Sequence, residues 1–152
     1  MTELRPGVFT AGFAKLATEG DARTRLALEP LALAVERQAR INASNGRHKY
    51  GTKTPARPGA GPAIISGTLK RSVGHTPIEK HLDGWYTKVG PRIGFTPPYG
   101  RTPAHQYGNY LETGLRNGAT YPWLKPAAEF ACRISAVTIY NKLYGGAWGR
   151  VF

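Results

Sequence analysis

The chain has 152 residues, 41% apolar and 11% aromatic, which is enough to close one core and too apolar for a disordered chain. Twenty-one Lys and Arg against nine Asp and Glu give a formal charge of +12, and a single cysteine rules out an internal disulfide. No stretch approaches the roughly 18 apolar residues of a membrane span. Met1–Gly7, carrying Glu3 and Arg5, lacks the apolar segment of a secretion signal, so residence in a cytoplasm or in a particle assembled there is expected.

The first element read from the pattern is a helix from Asp21 to Ala43. Leu28, Leu31, Val35 and Ala39 recur at helical spacing, while Glu29, Glu36, Arg37 and Arg40 fall off that face. Asp21 after Gly20 fits an N-cap, with Glu19 also favourable at a helix start. Pro30 predicts a kink or two abutting helices, broken near Glu29. A short separate helix is expected around Phe13 to Thr18.

From Ser44 to Pro62 (SNGRHKYGTKTPARPGAGP) apolar periodicity disappears, glycine and proline abound, and every charge is positive. A compact monomer has little need of so long a loop. Arg47, His48, Lys49, Lys53 and Arg57 are therefore the candidate residues facing DNA or a protein partner. The same charges would also serve a plain solvated loop.

Ser66 then caps a short helix through Ser72, with Leu69 and Val73 inward. Val73 to Gly90 reads as a hairpin turning at Asp83-Gly84, with Trp85, Thr87 and Val89 alternating against Tyr86 and Lys88. The proline-rich stretch from Pro91 to Pro103 is irregular, and a helix follows from about Ala104 to Thr113. The last long helix starts near Leu124 and runs to Tyr144. Ala127, Phe130, Ala131, Ile134 and Val137 share its apolar face, and Cys132 in the same stretch is expected in the core. Gly145-Gly146 ends it, leaving a tail whose Trp148 and Phe152 would need a partner surface. The order of elements predicts one α+β domain over residues 1–152. An antiparallel β-sheet is joined to a long N-terminal and a long C-terminal helix, with an extended basic loop at 44–62 and a short tail at 145–152.

The charge distribution says more than its sum. No acid occurs between Glu36 and Glu79, yet Arg37, Arg40, Arg47, Lys49, Lys53, Arg57, Lys70 and Arg71 do. Such an excess attracts polyanions, whether nucleic acid or an acidic protein. Catalytic constellations are thin. After the acids at the presumed helix start and turn are set aside, Glu79, Glu112 and Glu129 remain for a metal-dependent nuclease, which would need two or three converging carboxylates. His48, His75, His81 and His105 do not stand at zinc-ligand spacing. No phosphate-binding loop is present, because PARPGAGP has prolines where donors are needed and no GK[ST] follows. No enzymatic activity, metal or cofactor is expected.

Three segments together resemble a family. Ile65–Val73 (ISGTLKRSV) is similar to the small-Gly-x-Leu-basic-x-Ser motif that follows the first helix in the siphophage neck, or tail-completion, proteins. Tyr107–Gly114 (YGNYLETG) resembles their second motif, and Tyr121–Ala131 (YPWLKPAAEFA) their third, the aromatic-Pro-aromatic entry into the last helix. The order and spacing match across roughly residues 21–144. The resemblance implies a structural virion protein between head and tail, assembled in the host cytoplasm. It implies partners as well: further copies of itself in a closed ring, on the order of six, neighbouring head–tail connector, tail terminator or tail-tube proteins, and packaged double-stranded DNA. The motif residues it assigns a structural role are Gly67, Leu69, Ser72, Tyr107, Glu112, Gly114, Pro122, Trp123 and Pro126. The loop from Arg47 to Pro62 and the segment from Gly94 to Gln106 are longer than the family's pattern. A nucleic-acid-binding protein without sequence preference is the alternative reading.

Glu112, the one motif acid, is expected to form a salt bridge or to bind the amides of the following turn. Gly67 and Gly114 are expected where a β-carbon would obstruct the backbone. Pro126 belongs in a first helical turn.

Overall fold

The computed structural model describes residues 6–46, 56–82, 84–98 and 100–144, the side chains of 6–18, 140 and 144 excepted. Its elements are α1 (Pro6–Asn42), α2 (Thr68–Ser72), β1 (Val73–His75), β2 (Glu79–His81), β3 (Gly84–Tyr86), β4 (Val89–Pro91), α3 (Ala104–Thr113) and α4 (Leu124–Tyr144). The class is α+β, with two long helices and small antiparallel sheets. No helix among the described residues is long and apolar enough to cross a membrane.

The first helix differs from its expected form. It is one helix of 37 residues, continuous through both the Phe13–Thr18 stretch and Pro30. Asp21 is therefore not an N-cap but a mid-helix residue whose carboxylate turns outward to β2 and β3. Proline removes one intrahelical hydrogen bond, and packing along α4 on one side and the strands on another holds the helix across that gap.

α4 runs antiparallel to α1. Arg23 Nη1 donates to the carbonyl of Leu143 at 3.1 Å, and Asn42 Nδ2 donates to that of Trp123 at 3.0 Å, pinning opposite ends of the pair. The buried residues between and beneath the helices are mostly alanines (Ala32, Ala39, Ala43, Ala127, Ala131), which let backbones approach closely. Leu69, Val73 and Trp123 supply the bulk, with Tyr107, Leu111 and Leu124 packed against them.

Three further expectations fail on the helices. Phe130, Ile134 and Val137 do share a face, but they are 44%, 50% and 60% exposed, and the core takes Ala127 and Ala131 instead. Cys132 is exposed, since it lies off the Ala127–Ala131 line. Glu36, expected off the buried face, is buried. It accepts from Arg40 Nη2 at 2.7 Å and meets His75 Nδ1, while His75 Nε2 lies 3.4 Å from Glu29. A carboxylate can sit there because its charge is paired on both oxygens.

The strands form two short ribbons, β1 with β4 and β2 with β3. Residues 76–78 oppose only 87 and 88, so the register slips by one between the ribbons. This is a bulge, with Pro77 in the stretch that cannot donate. It breaks the single alternating strand expected from Trp85 to Val89. Gly84 pairs with His81 as the first residue of β3, so it is not a central residue of the turn as expected. Asp83 itself lies outside the described residues.

Candidate functional site

The three motif segments fold into one junction among α2, α3 and α4. Gly67 has φ +69°, a left-handed conformation that disfavours any β-carbon, and it turns the chain into α2. Ser66 is not the cap expected: Gly67 holds the N-cap position without a side-chain cap, and Ser66 Oγ instead accepts from the Thr68 amide at 3.3 Å. Leu69 then enters the core, and fully buried Ser72 returns its hydroxyl to the Leu69 carbonyl at 2.7 Å.

Across from α2, Tyr107 of α3 lies partly buried against the core and shares a hydrogen bond with the Leu69 backbone. Burial pushes its phenol above the usual value, against the smaller opposing effects of that hydrogen bond and of Arg71. Trp123 is 1% exposed, and its Nε1 donates to the Gly108 carbonyl at 3.0 Å. Gly108 is a residue that the sequence pattern did not single out. A β-carbon there would meet Leu69 Cδ1 at 3.0 Å and both Pro91 and Trp123 at 3.3 Å. The YG pair of the second motif carried that signal.

Glu112 closes the junction. Its Oε2 accepts from the amides of Trp123 at 2.9 Å and Leu124 at 3.0 Å, and its Oε1 accepts from Lys125 at 2.9 Å. The next residue, Pro126, has no amide to satisfy. A helix start leaves four unpaired N–H positions, and one carboxylate with one proline accounts for all of them at α4. Of the two roles expected for Glu112, this is the binding of following amides. Gly114 (φ +132°) ends α3, its amide bonded to Tyr110. The chain returns through Tyr121, whose amide donates to Leu111 at 2.6 Å, and half-buried Pro122 leads into Trp123.

The remaining candidate acids are engaged separately. Glu79 accepts from the Tyr86 hydroxyl at 2.7 Å, which raises that phenol's pKa, and Glu129 is exposed on α4. Among the described residues no group of three or more His, Cys, Asp or Glu is placed to hold a metal. Asp21 accepts from Lys80 at 2.9 Å and from Trp85 Nε1 at 2.8 Å. The Lys80 hydrogen bond holds its carboxyl below the ordinary range.

Of the five basic-loop candidates, Arg57 is exposed, and Arg47, His48, Lys49 and Lys53 lie outside the described residues. Both ends of the loop are tied down. Gly46 bridges Ala63, and the Gly59 amide donates to Thr120 at 2.8 Å. In the comparisons with known proteins, no family model, no curated protein and no solved structure matches the chain.

Proposed function

We propose that the chain is a structural virion protein of a tailed bacteriophage, a subunit of the ring in the neck that joins the DNA-filled head to the tail. The observation that carries this reading is the convergence of the three motif segments. Residues scattered from Gly67 to Pro126 meet in one junction, where Glu112, Gly108 and Trp123 lock α3 to the start of α4. Their resemblance to the neck family therefore extends to residues that depend on one another.

A second feature supports assembly. Both long helices leave apolar residues at helical spacing in water, Phe130, Ile134 and Val137 on α4 and Leu26 and Leu33 on α1. Surfaces of that kind are ordinarily covered by a partner, and copies related by a rotation axis cover one another repeatedly.

A phage carrying a nonsense codon in this gene should build full heads and complete tails that fail to join. Density for the protein in a cryo-EM reconstruction of the neck should form a closed ring. Joined, infectious particles made without the protein would refute the reading.

A further inference from the structure

The ion pairs of the described residues lie along α1, while cations elsewhere, Lys70, Lys88, Arg133 and Lys142 among them, form none. Ion pairs hold α1 to itself and to β2, Glu19 with Arg23, Glu36 with Arg40 and Asp21 with Lys80, and the His75 ring of β1 sits between Glu29 and Glu36. Around α3 the cations have no acidic partner among the described residues. Arg92 and Arg101 stand at its N-terminal end, where the Ala104 amide donates to Phe95 at 2.7 Å and the Arg92 guanidinium lies over the Phe95 ring. Arg57, Arg116 and Lys125 stand at its C-terminal end, brought together by the Gly59–Thr120 hydrogen bond and the capped start of α4. Arg71, exposed on α2, adds a charge near Tyr107 between the two groups.

The exposed side chains of α3 itself are Gln106, Asn109, Tyr110 and Thr113, all neutral; Gln106, Asn109 and Tyr110 can donate outward, while Thr113 gives its hydroxyl to the Asn109 carbonyl at 2.9 Å. The helix's one acid, Glu112, has both carboxylate oxygens occupied by amides.

We propose that α3 and the loops at its two ends form a binding face for the phosphate backbone of double-stranded DNA. A ten-residue helix spans roughly 15 Å, so the two basic groups reach phosphates several steps apart, and the amides and hydroxyl between them face the backbone. Such contacts position a duplex without reading its sequence. An acidic protein would fit the charge but not the rest of the face. Protein interfaces concentrate apolar area at their centre, whereas DNA-binding faces are more polar and strongly cationic. Of the large exposed apolar side chains, Tyr110 is the one on α3, and Ile93 stands at the edge of the face beside Arg92, leaving the centre polar. The inference does not depend on the ring, because it concerns a surface of a single chain.

The test is binding of the purified full-length protein to a fluorescent duplex of roughly 30 base pairs, followed by anisotropy. With about five phosphate contacts, affinity should fall several-hundred-fold between about 50 and 200 mM salt. Replacing Arg101, Arg116 and Lys125 with Gln should reduce the logarithmic salt slope by about two to three and weaken low-salt binding at least about tenfold. The melting temperature should stay unchanged, because these side chains are exposed. Equal affinity and slope in the triple variant would overturn the proposal. So would competition by poly-glutamate as effective, charge for charge, as competition by unlabelled duplex, which would give the face to an acidic protein. A loss of binding confined to an Arg47→Ser, Lys49→Ser, Lys53→Ser variant would also overturn it, moving the contact to the loop.

Discussion

Glu112 offers the sharpest test of the junction. In Glu112→Ala, three amides at the start of α4 lose their acceptor at once. Water can reach the exposed Lys125 amide, but those of Trp123 and Leu124 are part-buried. An unsatisfied buried donor costs about 1–3 kcal/mol. Loss of a helix cap adds about 0.5–2 kcal/mol. The expected destabilisation is therefore about 2–4 kcal/mol. At this chain length that lowers the melting temperature by roughly 5–15 °C. Glu112→Gln keeps one acceptor oxygen, loses the charge that suits a helix N-terminus, and turns an NH₂ toward an amide. It should fall between, at about 1–2 kcal/mol. Thermal unfolding followed by circular dichroism, with Trp123 emission as a local probe, measures both. The reasoning fails if Glu112→Ala melts within about 0.5 kcal/mol of the wild type. A metal-dependent DNA cleavage abolished by Glu112→Gln in a stably folded protein would instead make this carboxylate catalytic.

Gly67→Val should cost about 1–3 kcal/mol from backbone conformation alone, since its β-carbon has open space apart from Ile64 at 4.0 Å; an unchanged unfolding midpoint in denaturant would count against strain there. Gly108→Ala should cost about the same for a different reason, overpacking against Leu69, Pro91 and Trp123, and it should quench or shift Trp123 emission where Gly67→Val does not. Replacing Arg47, Lys49, Lys53 and Arg57 with Ser should leave stability within about 0.5 kcal/mol per site, while phage carrying the change yield heads and tails that do not join; a depressed melting temperature would make the loop part of the fold. Asp21 ties β2 and β3 to α1, and its carboxyl pKa is lowered in the folded state. Its stabilising effect is therefore present above the ordinary carboxylate range and is lost as pH falls through the lower folded value. Acid titration of Trp85 emission should show a transition that Asp21→Asn abolishes, and an identical titration in that variant would exclude Asp21 as its origin.

Local rules account for the parts of the fold that depend on neighbours in sequence. The bounds of α3 and the start of α4 follow from Pro103, Gly114 and Pro126, because proline fixes its own φ and glycine alone readily takes the positive φ that ends α3. The left-handed turn at Gly67 follows in the same way, although the cap expected of Ser66 falls one residue later, on Gly67. The cooperation of Glu112 with Trp123, Leu124 and Lys125 spans a loop. Composition alone limits it to two roles, and coordinates choose between them. The hairpin is legible as a hairpin, but Gly84 belongs to β3, because its pairing with His81 is set by the strand register, not by the Asp-Gly dipeptide.

The errors on the long helices have one physical origin. Periodicity reports that a helix has an apolar face, and it cannot report which side of that face the core covers. Ala127 and Ala131 lie on the side of α4 turned to α1, while Phe130, Ile134 and Val137 lie on a neighbouring side that no described residue covers. Glu36 errs in the opposite direction. A charge at a helix position reads as solvated unless a partner is known, and its partner His75 lies 39 residues away on β1. Asp21 combines both cases, since it stood beside a glycine that imitates a helix start and its partners Lys80 and Trp85 are distant strand residues. Buried polar pairs and surplus apolar faces both depend on what packs opposite. For the paired acids the opposite group lies within this chain, and for the α4 stripe the proposed ring would supply it from another copy.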